Sequence, residues 1–499
     1  MAKHVENINK SRLVIISNRL PIVLSQQDGK LTVIPGSGGL VTALAPVLKN
    51  RGGAWIGWPG PVDEGNEDEV REIIKKHNDE TGFTLCPVFL NAQDIKNYYD
   101  GFSNEIIWPL FHDLHSECNF NPNYWTSFQE VNAKFAQSTV EVLQPNDFIW
   151  VHDYHLMMLG QQIRRLKNDS KIAFFLHIPF PPMETFIKLP WRFQILRSLL
   201  EYDTIGFHTP SDQRHFVDCI RRLLPDVIPK KKKSIHECVY NERKIRIGTF
   251  PISIDYNEFN HMASSKEVAD EAWIIHEKFS NQKIIFSLDR LDVTKGIPYR
   301  LEAIRHLLKK YPEIHEKVTF VQNVIPSRTE IPKYQELKKE IDRLVGEINS
   351  QFTQPGWVPI HYVFHSIPRK ELLAMYRASE VCLITSIKDG MNLVAKEYIA
   401  SNVDEKGVLV VSEFAGVAAQ VKDEAILINP YDIEGISRAL YQAITMPEEE
   451  LQYRMRKMRR GVQKYDVFRW VRTFLITAIN KELVDYPLLP EYLPLEETK

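Results

Sequence analysis

What most constrains this chain is a unit that recurs along it: a short apolar run, a loop of small, polar or charged residues, then a helical pattern. Its sharpest copy is residues 381–400, VCLITSIKDGMNLVAKEYIA. Val381 to Thr385 are apolar or β-prone without polar alternation, as in a strand buried on both faces. Ser386 to Asn392 are turn formers, and Leu393 to Ala400 resume helical spacing. A helix start offers backbone N–H groups and a positive dipole end, so Gly390, Met391, Asn392 and Leu393 suit a phosphate. Asp389 before the turn and Glu397, one helical turn beyond Leu393, supply acceptors for hydroxyl groups. Phosphate flanked by hydroxyls describes a nucleotide sugar. A plain Asp-Gly turn followed by an exposed glutamate explains the same residues equally well, so the rest of the chain decides.

The unit repeats in both halves. Leu13 to Ile16 run into Ser17-Asn18-Arg19-Leu20-Pro21, which sets Arg19 at the carboxyl edge of a strand, where open α/β sheets bind ligands. Leu31 to Ile34 lead through Pro35-Gly36-Ser37-Gly38-Gly39 into a short helical pattern. Val41 stands where a dinucleotide fingerprint needs a small residue, which argues against a nicotinamide site. Residues 97–114 mix Tyr98, Tyr99, Phe102, Trp108 and Phe111 with polar residues read as turns, a blend suited to sugar binding as well as to core. Phe148 to Leu159 read as a strand entering a helix with His152, Asp153 and His155 at the junction. The His-x-x-His spacing raises zinc, yet no third ligand is suggested nearby. Lys171 to Leu176 form the next strand and deliver His177 to a proline-stiffened loop. Lys230 to Lys233 read as a solvated loop, and a hinge falls near residues 248–258.

In the second half, Lys283 to Leu288 lead into a loop with Arg290 and Lys295, then a helix opened by Pro298. Two cations in such a loop suit a diphosphate, although Asp289 and Asp292 are ready partners for them. Further strands are expected at Val318 to Val324, Ile360 to Phe364, Gly407 to Val411 and Ala425 to Ile428. The charged helical end carries Trp470 and Phe474 for docking. These alternations predict two parallel, doubly wound sheets facing a cleft. No Asp-x-Asp occurs to clamp a metal, so Arg290, Lys295 and the turn at Gly390 would have to take its place.

Composition fits such an enzyme. At 499 residues the chain exceeds one core, and a net charge of −2 from 62 basic and 64 acidic residues gives no general attraction to nucleic acid or acidic membranes. Five scattered cysteines without a Cys-x-x-Cys pair argue for a reducing cytoplasm and against a disulfide frame. The charged N-terminus lacks a signal-peptide core, and no run nears the about 18 apolar residues of a membrane span. Oligomeric state is left open, homo-oligomers included.

Taken in order, SNRLP (17–21), SGGL (37–40), GFSN with WPLFH (101–112), WVHDYHL (150–156), LHIPFP (176–181), DRLD with KG (289–296), PSR (326–328) and DGMNLVAKEY (389–398) resemble the blocks of a family. That family is the retaining glycosyltransferases with two Rossmann-like domains (GT-B), in particular the trehalose-6-phosphate synthases of family 20. The resemblance implies an acceptor-binding domain over residues 1–250, a nucleotide-sugar domain over 251–464, and a C-terminal helix, about 465–499, packing back on the first domain. It implies transfer of glucose from UDP-glucose to glucose 6-phosphate with retention and without a cofactor or metal. By motif, Arg290 and Lys295 would bind the donor diphosphate, Gly390 to Leu393 would support it, Glu397 would hold the ribose and Asp389 the donor glucose. His177 and Gly39 would touch the donor glucose and phosphates. Arg19, Tyr99, Trp108 and Arg328 would form the acceptor phosphate pocket, with Asp153 on the acceptor sugar and Trp58 beside them. The family is thought to react on one face, the leaving phosphate taking the acceptor's proton. Runner-up readings are another phosphorylated acceptor, such as glycerol 3-phosphate, or a non-catalytic sugar-phosphate sensor.

Overall fold

The apolar runs become strands in the computed structural model, which describes residues 12–27, 30–36, 39–62, 65–166, 169–279, 281–328, 331–479 and Tyr492. Ser37 and Gly38 of the glycine-rich block, the charged N-terminus and most of the expected C-terminal segment lie outside these residues. Residues up to Ile252, with the last helix from Phe468, form one compact unit, and Ser253–Val467 form the other.

In the first unit the strands are β1 (Leu13–Arg19), β2 (Ile22–Gln27), β3 (Lys30–Pro35), β4 (Gly53–Trp58), β5 (Thr84–Pro87), β6 (Phe148–His152), β7 (Lys171–Phe175), β8 (Thr204–Phe207), β9 (Lys230–Lys232), β10 (Ile235–Tyr240) and β11 (Arg243–Thr249). Their sheet runs β5-β4-β1-β6-β7-β8-β11-β10-β9. The order reverses between β1 and β6, whose register pairs Leu13 with Phe148 and Ile16 with Val151. Loops leaving adjacent strands at such a reversal diverge and open a crevice, so Arg19, at the end of β1, and Asp153, just after β6, lie where this architecture binds ligands. The central strands β6 and β7 are buried on both faces, as their unbroken apolar runs require.

The structure corrects the sequence-based expectations in four places. The sheet is mixed, because β10 runs antiparallel to both β11 and β9. The four-lysine segment is no loop: Lys230–Lys232 form the edge strand β9, where exposed charges protect an unpaired edge. Leu31 to Ile34 belong to β3, which pairs only with β2 as a separate antiparallel hairpin. The polar residues among the 97–114 aromatics are not turns, since Ile95–Ile107 form a π-helix that passes into the helix Trp108–Phe111. The Trp108 N–H reaches back five residues to the Ser103 carbonyl. Such wide turns recur at functional sites because they re-aim side chains.

The second unit has β12 (Lys283–Arg290), β13 (Val318–Ile325), β14 (Ile360–Val363), β15 (Val381–Ile384), β16 (Val408–Ser412) and β17 (Ile426–Ile428), ordered β14-β13-β12-β15-β16-β17 and parallel throughout. The reversal falls between β12 and β15. The loops after these two strands carry Lys295 and Asp389. Helix Ile297–Lys310 buries Ile297, Leu301, Ile304, Leu307 and Leu308 against this sheet's core.

The last helix, Val467–Ile479, closes the first unit. Trp470 donates its indole N–H to the Phe250 carbonyl (3.1 Å), and Phe474 stacks on Trp150 at 4.4 Å. Lys171 and Arg246 donate to the carbonyls of Ile479 and Thr477. Trp470 is 1% exposed, and its ring also packs on Phe175 and His177. Trp470→Ala should therefore cost about 3 to 5 kcal/mol and lower the urea midpoint of the first unit, followed by the fluorescence of its tryptophans. An unchanged midpoint would show that this helix contributes nothing to the core.

Candidate active site

In the second unit, two loops are laced together at the sheet reversal. Gly296 has φ +63°, and a side chain there would overlap the Thr385 carbonyl oxygen, so only glycine allows the approach. Thr385 Oγ1 donates to the Lys295 carbonyl (3.0 Å), and the Ile387 N–H donates to the Thr294 carbonyl (2.8 Å). This lacing sets Lys295 Nζ 2.6 Å from Asp389 Oδ2, with both side chains under 20% exposed. Asn392 also donates to Asp389 Oδ2 (3.2 Å) while its own Oδ1 caps helix Leu393–Ser401 by accepting from the Ala395 N–H (3.0 Å). Asn392 does so at φ 82°, a left-handed conformation that costs energy for any residue but glycine.

Beneath the loops lies Arg300, with no exposed side-chain area. It donates to Thr385 Oγ1 (3.0 Å) and Gln322 (2.9 Å) and pairs with Asp289 (2.6 Å). On the other side, Gly390 packs against Gly416, where a Cβ would overlap the Gly390 carbonyl. Asp389 exchanges backbone bonds with Phe414 and Gly416, and the Val417 N–H donates to the Met391 carbonyl (2.8 Å). The turn thus has its shape before any ligand arrives, so little ordering entropy is left to lose on binding.

Glu397 accepts a hydrogen bond from the buried Tyr376 hydroxyl (3.0 Å). Burial pushes the Glu397 carboxyl up, and the Tyr376 hydroxyl and then Arg369 offset part of that rise. Arg290 is the final residue of β12 rather than a loop residue, and it is exposed. Arg328, at φ 52°, donates to Asp292 Oδ2 (3.1 Å) and to the Tyr334 hydroxyl (2.5 Å).

In the first unit the structure brings Arg19, Trp58 and Tyr99 together. The Arg19 guanidinium lies 3.8 Å above the Trp58 ring and 5.7 Å from the Tyr99 ring, a cation held on π faces. Burial lowers the Arg19 pKa from its ordinary value, and Tyr99 and Asp100 offset part of the drop. Gly60, at φ +116°, leaves room for the guanidinium. Tyr99 stacks on His155 (5.9 Å), and Trp108 packs on His112 and Tyr154. Trp108 is thus tied to the residue after Asp153. Asp153 has φ 76° and accepts from the His177 backbone N–H (3.2 Å). His177 Nε2 lies 3.0 Å from His152 Nδ1. Burial lowers the pKa of both rings, that of His177 to about 3. Two neutral imidazoles can share one proton without charge. Gly39 opens helix Gly39–Arg51. Among the described residues no three His, Cys, Asp or Glu side chains gather as a metal site.

Residues 11–480 match the profile of glycosyltransferase family 20. The chain belongs to glycosyltransferase family 20. Among curated relatives, the trehalose-6-phosphate synthase of Mycolicibacterium vanbaalenii is 40% identical over 479 residues, covering 95% of this chain and 96% of that protein. The trehalose-6-phosphate synthase of Mycobacterium tuberculosis is 40% identical over 476 residues, 94% of this chain and 95% of the relative. Among solved structures, the UDP-forming α,α-trehalose-phosphate synthase of Burkholderia xenovorans in complex with glucose-6-phosphate superposes with a TM-score of 0.84 at 32% identity, covering 94% of this chain and all of that one. The E. coli enzyme bound with UDP-2-fluoro glucose gives 0.83 at 34% identity, covering 94% and 99%. This family 20 glycosyltransferase accordingly has the GT-B fold.

Reading the sequence as ion pairs made Asp289 and Asp292 equivalent partners of Arg290 and Lys295. In the folded glycosyltransferase Asp289 serves Arg300, and Lys295 goes to Asp389 instead. Arg300 escapes the motif pattern, although an arginine on the apolar stripe between Ile297 and Leu301 is a signal. Tyr376 had no local signal, because its partner Glu397 belongs to another helix. Gly296→Ala should displace Lys295 from Asp389. Steady-state turnover should fall by roughly a hundredfold, as when one transition-state donor is withdrawn, and turnover near wild type would mean that the close loop contact is dispensable.

Proposed function

We propose that this glycosyltransferase moves glucose from UDP-glucose to glucose 6-phosphate, releasing UDP and trehalose 6-phosphate with retention at the anomeric carbon. The observation that carries the reading is the laced pair of loops at the second sheet's reversal. There an ammonium and a carboxylate, Lys295 and Asp389, stand beside a capped helix start and a half-buried Glu397. The end-to-end relatives named as synthases, and solved neighbours holding glucose 6-phosphate and a UDP-sugar analogue, favour this over another phosphorylated acceptor or a sensor.

Lys295 and Arg290 bind the donor diphosphate, and the Gly390 to Leu393 backbone supports it. Asp389 binds donor glucose hydroxyls and Glu397 the ribose, with Tyr376 holding Glu397 in place. His177 and Gly39 serve the donor glucose and phosphates, and Asp153 the acceptor sugar. Arg19, Trp58, Tyr99, Trp108 and Arg328 serve the acceptor, its phosphate above all. A guanidinium held in place suits that task, because its planar fork meets a phosphate bidentately.

The chemistry is set by where charge develops. As the bond from the anomeric carbon to the UDP oxygen breaks, the diphosphate gains negative charge and the glucose gains oxocarbenium character. Cations fixed at the diphosphate therefore act more strongly in the transition state than in the ground state. The acceptor hydroxyl attacks from the face the leaving group vacates and passes its proton to the departing phosphate oxygen, so no enzymic nucleophile is needed. No metal ion is required, since Arg290 and Lys295 supply the positive charge. Among the described residues no helix is long and apolar enough to cross a membrane. All five cysteines are free thiols, which favours a reducing, cytoplasmic setting.

The test is UDP release measured with and without glucose 6-phosphate. Release should depend on that acceptor, survive chelator, and fall by roughly a hundredfold or more in Lys295→Ala and Arg290→Ala. Arg19→Ala and Arg328→Ala should raise KM for glucose 6-phosphate while leaving the poor use of glucose as it was. Release indifferent to glucose 6-phosphate would remove the proposed acceptor, and strict loss with chelator would restore a metal.

A further inference from the structure

Asp292 belongs to neither of the groups given a substrate above. Its side chain is 2% exposed, and both carboxylate oxygens are used. Oδ1 accepts from the Thr294 N–H (3.0 Å) and the Thr294 hydroxyl (2.9 Å), while Oδ2 accepts from Arg328 Nη1 (3.1 Å). Thr294 in turn receives the Ile387 N–H on its carbonyl, which joins Asp292 to the lacing that sets Lys295 on Asp389. Burial alone would push the Asp292 carboxyl up, but Arg328, then Arg290, then Lys295 outweigh it and hold it below the usual carboxylate range. One buried anion therefore feels all three of the second unit's proposed phosphate-binding cations.

Two physical demands meet at this carboxylate. Cations gathered for a phosphate repel one another while the site is empty, and the burial of Arg328 and Lys295 makes that repulsion costlier than it would be in water. A guanidinium on a residue in the left-handed region also needs fixed partners to hold one orientation. Asp292 meets both demands without occupying a ligand position, because it is sealed beneath the loop. We propose that Asp292 is a positioning residue for the transfer reaction, a fixed carboxylate that aims Arg328 and offsets the repulsion among Arg328, Arg290 and Lys295 until phosphates arrive. The inference rests on the reading of those three cations as phosphate ligands.

The proposal carries opposite signs for the two substrates, which a merely structural role would not. Asp292→Asn keeps the size of the side chain and an oxygen for Thr294 but removes the charge. Arg328 loses its charged partner, so KM for glucose 6-phosphate should rise and kcat fall, each by about tenfold or more, the factor that one charged hydrogen bond corresponds to. The cations are no longer offset, so UDP measured by calorimetry should bind as tightly as to wild type or more tightly. In an Arg328→Ala background the acceptor effect of Asp292→Asn should largely vanish, since the carboxylate acts through that arginine. If Asp292→Asn does not yield folded protein, Thr294→Val removes one bond to the carboxylate and should show the same pattern more weakly. Equal weakening of UDP and acceptor, or full additivity with Arg328→Ala, would overturn the proposal and make Asp292 ordinary loop support. Should Arg328→Ala itself leave the acceptor KM unchanged, the assignment of Arg328 fails instead, which is a separate outcome.

Discussion

The close approach of two loops, after β12 and after β15, is the constraint on which the rest of the second unit depends. It exists because Gly296 has no side chain, which lets its backbone lie against the Thr385 carbonyl. Everything polar nearby is built around that contact. Arg300, sealed below, ties Thr385 to Gln322 and Asp289, and Asp292 ties Thr294 to Arg328. Burying so many charges is expensive unless each is paired, and here Arg300 is paired with Asp289, Arg328 with Asp292 and Lys295 with Asp389. The return on that cost is geometric: Lys295 and Asp389 are held in place before any substrate binds.

The first unit solves the same problem differently. Its sheet also reverses, between β1 and β6, but the support around its candidate residues is aromatic. Arg19 rests on Trp58, Tyr99 stacks on His155, and His177 is wedged among His152, His208, Phe175 and Trp470. Rings bury large areas with little conformational freedom to lose, so they hold a cation or an imidazole rigidly. The returning helix Val467–Ile479 is part of that support, which gives the end of the chain a bearing on residues read as substrate contacts.

The strand-end positions are legible in the sequence because parallel strands buried on both faces appear as unbroken apolar runs, and the polar residues after each run mark the sheet's carboxyl edge. Arg19, Asp153, His177, Lys295 and Asp389 are found that way. The residues that stay hidden depend on distant partners: Arg300 on Thr385, Tyr376 on Glu397, Asp292 on Arg328. Lys230–Lys232 resemble a loop because an exposed edge strand needs no apolar residue, so nothing in three lysines reveals pairing with His236. The π-helix Ile95–Ile107 escapes notice because its polar residues imitate turns, whereas the Asn104 side-chain amide in fact bonds the Tyr99 carbonyl within the helix, and the Trp108 backbone N–H reaches the Ser103 carbonyl.

If the laced loops of the second unit are the donor site, the ammonium, the ribose carboxylate and the sugar carboxylate have separate tasks in it. Calorimetry with plain UDP, which carries a diphosphate and a ribose but no glucose, tests it most directly in Lys295→Ala, Glu397→Gln and Asp389→Asn. UDP binding should weaken in Lys295→Ala and Glu397→Gln and should not weaken in Asp389→Asn, where losing the carboxylate charge frees Lys295 for the diphosphate and the sugar read as the other partner of Asp389 is absent. Wild-type affinity in Lys295→Ala, or a loss in Asp389→Asn equal to that in Glu397→Gln, would contradict it.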